Sequence, residues 1–261
     1  MASNLSTIGF VFADEVEFRA TMVRYAAEAP AQAACGAGRY GIWRSRSGAE
    51  IWFHFAAADN GSTEICGLTP FFDGQSDVEI HITKSIERDG DNAFEGSFHG
   101  WVGPDETGEG KYPLVFEAVD YAVHANGPWP KTRRIRLSAF ARELTAFADE
   151  AAFAAPRADD SKESLNLAPK AFIPVGLFAA AMSKVDGLDA TTPSPSVLLT
   201  GTVLEHRTLQ NEATGKAFEW LLVETLDATF DVIADPDVVS GAIIVGGTVE
   251  VMATLFGRFL D

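Results

Sequence analysis

Cysteine is almost missing from this chain: Cys35 and Cys66 are the only two in 261 residues. Two thiols make no disulfide framework, and their separation has no metal-ligand spacing. Long apolar runs are also missing. The uncharged, apolar stretch 171–183 lies between Lys170 and Lys184 and contains Pro174, short of the roughly 20 residues a membrane helix requires. The apolar run at 8–13 leads directly into Asp14, Glu15 and Glu17, unlike the basic start and long apolar middle of a signal peptide. The expectation is a soluble, cytoplasmic protein. Basic residues are few: 20 Lys and Arg against 37 Asp and Glu give a net charge of −17. The excess is spread over both halves, so it repels polyphosphates and anionic membranes rather than marking one acidic tail. Lys131, Arg133, Arg134 and Arg136 form the single basic cluster, too small to reverse that expectation. Nucleic acid and membrane are therefore not the expected partners.

Catalytic signatures are missing as well. The chain has no G-x-S-x-G, no H-E-x-x-H, no paired C-x-x-C and no calcium-loop spacing. Gly215-Lys216 lacks the P-loop context, with Gln210 where a glycine and Ala217 where a hydroxyl would stand. Asp89, Asp91 and Asn92 crowd one turn without the downstream glutamate a cation loop needs.

What is present is strand pattern. Residues 197–261 hold four apolar, β-branched runs, VLLTGTVLEH, KAFEWLLVETL, TFDVIADP and GAIIVGGTVEVMATLFGRFL, separated by Asn, Gly, Asp and Pro. Such runs form an antiparallel β module. With the short crossing at 236–240, their rhythm resembles an OB-like small β-barrel. That resemblance covers about 65 residues and rests on strand order, not on a motif. It implies binding of oligonucleotide or oligosaccharide, with Phe218 and Trp220 as stacking side chains. Aromatic residues in strands are more often core. As a whole the chain resembles a bacterial protein, a likeness that implies no activity.

Earlier in the chain, 6–13 reads as a strand. Asp14 reads as a helix N-cap with Glu17 completing a capping-box-like pair, and Val16, Ala20, Val23 and Ala27 as the apolar stripe of a helix over 15–28. Gly36, Gly38 and Gly41 spell G-x-G-x-x-G. The pattern follows a helix and opens a strand, the inverse of a dinucleotide site, so it reads as a glycine connection. From 48 to 125 the period is two: Ile51, Phe53 and Phe55, then Val78, Ile80 and Ile82, then Phe94, Gly96 and Phe98, then Val115, Glu117 and Val119. Four strands with one apolar face describe a sheet covered on one side. Phe140, Leu144, Phe147 and Ala151 mark a second covering helix after Ser138.

The expected class is α+β: β-rich, antiparallel sheets with two packed helices, the C-terminal half an OB-like small β-barrel. A domain at 1–155, a polar, proline-bounded linker at 156–170 and a β domain at 171–261 follow from the change of pattern. Gly96 and Gly201 each precede a Gly-Lys turn and a strand, an echo that internal duplication and ordinary turn preference explain about equally well.

The functional expectation is a non-enzymatic binding or assembly module recognising protein or itself. A strand such as 247–259 would pair across a homodimer. Besides the OB-like binder, one alternative stands. His54, His81 and His99 fall on the polar side of three successive expected strands, and His124 ends a fourth. If strand register lets them converge, with Glu79 or Glu95 nearby, they are a ligand set for a divalent metal in a metal-dependent enzyme. Exposed strand histidines are the simpler reading, and no other cofactor is expected.

Overall fold

The computed structural model describes residues 3–57, 63–88, 90–155, 167–185, 192–226 and 228–260. Helix α1 (Glu15–Glu28) starts where its cap places it. Asp14 accepts the Glu17 N–H at 2.8 Å, and the Glu17 carboxylate accepts the Ala13 N–H at 2.7 Å, so two otherwise orphaned donors are satisfied. The expected strand at 6–13 is corrected. Ser6–Ile8 is a 3-10 turn ended by Gly9 at φ +79°. The Ile8 and Gly9 carbonyls there accept from Asn211 and Thr214, so side chains from a distant turn replace a strand ladder. The buried face of α1 is corrected too. Met22, Tyr25 and Ala26 face inward, and Tyr25 lies 4.6 Å from Trp43, ring centre to ring centre. The stripe Val16, Ala20, Val23 and Ala27 is exposed. The helix is apolar on two opposite faces, and the face with the larger side chains entered the core.

Four antiparallel strands lie in chain order under α1: β1 (Ala31–Cys35), β2 (Gly38–Arg44), β3 (Ala49–Ala57) and β4 (Thr63–Phe72). The glycine pattern is the β1–β2 hairpin, and it follows β1 rather than the helix itself. Gly38 is required there, because at φ +143° a Cβ would lie 2.1 Å from the Phe55 carbonyl oxygen. Strand β4 has no counterpart in the sequence reading. Strand β3 is buried on both faces, with Trp52 and His54 as enclosed as Ile51 and Phe53. The one-sided sheet expected for this stretch is corrected accordingly.

The second sheet has ten strands. β5 (Asp77–Ile86), β6 (Ser97–Val102) and β7 (Tyr112–Ala118) form an antiparallel meander, followed by the short helix α2 (Tyr121–His124). The helix expected after Ser138 is instead β8 (Lys131–Phe147), with only α3 (Glu150–Ala154) beyond it. A β-bulge explains the misreading. Ala141 faces Ala253 and Glu143 faces Met252, leaving Arg142 unmatched, so side-chain parity reverses there. Phe140 therefore enters one core and Leu144 the other, although their spacing of four imitates a helical stripe.

The rest of the chain supplies β9 (Ala171–Ile173), α4 (Val175–Val185), β10 (Ser196–Gln210), β11 (Ala217–Thr225), β12 (Ala228–Ala234), β13 (Val239–Ser240) and β14 (Thr248–Phe259). The pairings close two circuits of five strands. One runs β5–β6–β7–β14–β8, and the other β10–β11–β12–β8–β14. Each repeats one plan: a three-stranded meander, a short helical crossing, then a long strand that completes both circuits. The joins β7–β14 and β12–β8 are parallel; the others are antiparallel. Strands from both sides of 156–170 thus share one sheet, and the circuit of β10, β11, β12 and β14 includes β8 from the first half. Residues 156–166 of the expected linker lie outside the described residues. The repeat also differs from the Gly96–Gly201 echo. That echo matches β6 with β10, whereas the topology matches β5 with β10.

One core, including Ile80, Phe98, Leu114, Leu137, Val223 and Val251, fills the space the circuits enclose. A second lies between the small sheet and the outer faces of β8, β11, β12 and β14, and includes Phe53, Phe140, Phe218 and Phe256. We expect a single cooperative urea transition, and Phe140→Ala to lower stability by about 3–5 kcal/mol. A fragment ending at residue 155 lacks β14 and β12, so circular dichroism should find it unfolded.

Candidate functional site

Phe53, His54 and Phe55 of β3 are all buried, and the imidazole of His54 is fully enclosed. The ring stacks on Phe94 at 5.2 Å and meets the Tyr40 ring edge-on at 5.5 Å. Its Nε2 lies 3.3 Å from the Thr69 hydroxyl. Its Nδ1 lies 3.5 Å from the Asn92 amide nitrogen and 3.7 Å from the Glu95 carboxylate. Register makes this possible: Gly67 on β4 is the direct partner of His54. A Cβ at residue 67 would sit 2.8 Å from Nδ1 and 2.7 Å from the Asn92 amide. The 92–95 turn holds itself in place, with Asn92 donating to Glu95 at 2.9 Å and accepting the Phe94 N–H at 2.9 Å. The Tyr40 hydroxyl donates to the Phe94 carbonyl and accepts the Ala122 N–H, and burial pushes its ionisation far up. Burial likewise lowers the His54 pKa from 6.5 to about 4, so the ring is neutral at physiological pH.

Asn92 and Glu95 separate this histidine from a cleft of about 370 Å³, whose lining includes Glu87, Arg88, Asp91 and Tyr121. Arg88 is already held by Asp91 at 2.9 Å and Glu117 at 3.4 Å. Burial raises the Glu117 carboxyl, with Arg88 opposing the shift. Among the described residues the lining contains no Ser, Cys, Lys or His, and the imidazole behind it is fully buried. The cleft can accept hydrogen bonds and cationic groups, but it presents no nucleophile with a base beside it.

The expected metal ligands are distributed over two sheets. His81 on β5 lies 3.1 Å from the Thr132 hydroxyl, and His99 on β6 lies 2.6 Å from the Thr83 hydroxyl, whereas His54 belongs to the small sheet. Burial lowers the His99 pKa, with Lys84 adding to the effect. His124 ends α2 rather than a strand and stacks on Phe259 at 4.0 Å. Among the described residues, no group of three or more His, Cys, Asp or Glu is placed to hold a metal ion. Phe218 and Trp220 are enclosed, at 0% and 3% exposure. The Trp220 indole donates to Asp231 at 2.7 Å, and the Arg207 guanidinium covers its ring at 5.2 Å. Neither side chain is an open stacking surface. The strand expected to pair across a homodimer, β14, is flanked on both edges within the chain.

Sequence reasoning missed three buried carboxylates, Asp231, Glu50 and Asp120. Asp231 accepts from the Gln75 and Ser76 N–H groups and from Trp220, each at 2.7 Å. Gly74 leaves it room, since a Cβ there would fall 2.2 Å from the carboxylate. Glu50 accepts from Arg44 at 2.6 Å and Trp52 at 2.8 Å. A lone acid inside an apolar run, as in TFDVIA, is the signal that would have found the first.

No protein-family model, curated protein or solved structure matches the chain. The fold and the side chains therefore carry the functional argument alone.

The neutral histidine gives a signed pH dependence. The unfolded imidazole protonates near pH 6.5 while His54 resists until about 4, so the unfolded state binds more protons between those values. Stability present above pH 6.5 falls as pH drops, and is lost in full only below about 4. From pH 8 to pH 5 the loss from this group is about 2 kcal/mol. Urea titrations of His54→Asn should show a pH dependence smaller than the native protein's by that amount.

Proposed function

We propose that the protein is a non-enzymatic module that recognises protein, and that the outward face of α1 is its recognition surface. The observation that carries this reading is the two-faced helix. Val16 and Val23 are 77% and 57% exposed, and Ala20 and Ala27 lie on the same face. Met22, Tyr25 and Ala26 bury the opposite one. A surface helix normally turns its polar side to water; one that is apolar on both sides belongs between two layers. Glu15, Val16, Arg19, Ala20 and Val23 form one contiguous, largely apolar patch on this face. Anchors spaced four, three and four residues apart match how amphipathic helices engage a partner. Fully burying one valine side chain contributes about 1.5–3 kcal/mol, enough for two of them to decide whether a complex forms. The net charge of −17 supports a polypeptide rather than nucleic acid as the partner.

A photo-crosslinking residue placed at position 23 should give a polypeptide adduct that mass spectrometry can identify. Val16→Glu should abolish the adduct while changing stability by no more than about 0.5 kcal/mol, as surface substitutions do. Absence of any adduct, or an adduct indifferent to Val16→Glu, counts against this surface.

A further inference from the structure

We infer that the partner seated on α1 is a second copy of this chain, packed antiparallel on the same face. This inference rests on the protein-recognition reading of α1 and names its partner. The apolar stripe is flanked by charges that complement themselves. At 100° per residue, Glu17 and Arg24 fall seven positions apart on one flank, and Arg19 falls on the other. Arg19 is neutralised within its own chain by Glu15 at 3.1 Å. A twofold axis perpendicular to two antiparallel helices brings each flank against its own copy. If the helices cross between Ala20 and Thr21, Glu17 of each copy lies beside Arg24 of the other, twice by symmetry.

The same crossing point serves the apolar residues. Val16 of one copy then sits over the hollow bounded by Ala20, Val23 and Ala27 of the other. The two Ala20 side chains meet near the axis, where small residues let helices approach closely. Both charged groups are exposed and ordered by contacts within their own chain. Glu17 is fixed by the Ala13 N–H at 2.7 Å, and the Arg24 guanidinium lies over the Tyr25 ring at 4.8 Å while donating to its hydroxyl at 3.0 Å. Each retains hydrogen-bonding capacity for the other. Antiparallel packing also opposes the two helix dipoles. A parallel pair would set two acidic first turns, Asp14, Glu15 and Glu17, side by side.

One helix face covers less than the roughly 1,200 Å² at the lower end of stable interfaces, which places this contact in the weak class. Sedimentation equilibrium of the native chain at about physiological salt, which screens the repulsion between two chains of net charge −17, up to about 500 µM, should show a monomer–dimer equilibrium in the weak-complex range. Glu17→Lys and Arg24→Glu each turn both reciprocal pairs repulsive and should weaken dimerisation about tenfold or more. An equimolar mixture of those two variants restores opposite charges at both pairs, so it should form a heterodimer while neither variant alone does. Circular dichroism of each variant separates loss of the contact from loss of the helix.

A native chain that stays monomeric at 500 µM overturns the self-pairing. If the position-23 adduct then proves to be another polypeptide, the recognition reading stands with a different partner. A monomer with no adduct ends both. Single variants that dimerise as well as the native chain would place the interface elsewhere and overturn the inference.

Discussion

The β8–β14 ribbon is the constraint on which the rest of this structure depends. These two long antiparallel strands pair from Ile135–Phe259 to Phe147–Thr248. One face of the ribbon contributes Leu137, Ala139, Val251 and Leu255 to the core within the strand circuits. The other contributes Phe140 and Phe256, 4.8 Å apart, to the core beneath the small sheet. Each half of the chain makes a meander and a long strand, and that long strand closes the circuit begun by the other half. Neither core is complete until residues about a hundred positions apart have paired. Contacts this distant in sequence put a large loop-closure cost ahead of the hydrophobic gain.

Charge is used within the protein in the same interlocking way. Arg136 pairs with Asp73 at 2.6 Å and Asp77 at 2.8 Å. Arg258 pairs with Asp73 at 2.7 Å and Glu50 at 3.4 Å. Arg134 adds a contact to Asp77 at 3.1 Å. This network ties β8 and β14 to β3 and to the loop after β4, where the two sheets meet. Arg134 and Arg136, half of the basic cluster visible in the sequence, are thus committed to internal partners. Glu50 is almost fully enclosed, so removing Arg44 or Arg258 would leave a buried charge with less compensation, the costly case for ion pairs.

Against that tightly matched interior, the outward face of α1 stands apart. The small sheet takes Met22 and Tyr25 and leaves Val16 and Val23 in water. The 370 Å³ cleft is polar instead, and Arg88 with Asp91 and Asn92 with Glu95 already pair within it. A surface with unsatisfied apolar area and self-complementary edges is better suited to association than a polar recess with much of its charge internally paired.

Local grammar decided a definite part of this protein. The Asp14 cap and Glu17 follow from hydrogen bonding within four residues, the 36–41 glycines from the needs of a hairpin, and most later strands from β-branched alternation. The α+β class and the antiparallel character follow from the same short-range preferences. Tertiary structure decided what those rules leave degenerate. α1 has two apolar faces at helical spacing, and only packing against Trp43 and Phe10 determined which one is buried. The bulge at Arg142 makes a strand imitate a helix, because one unmatched residue shifts parity in a way that only the partner β14 reveals. His54 reads as a solvent-facing strand residue until a second layer covers β3. Its neighbours at 69, 92 and 95 are then set by register and chain return, not by spacing. The sharing of β8 and β14 between two circuits has no local signal at all, since hydrogen bonds between distant strands leave no imprint on either strand's own alternation.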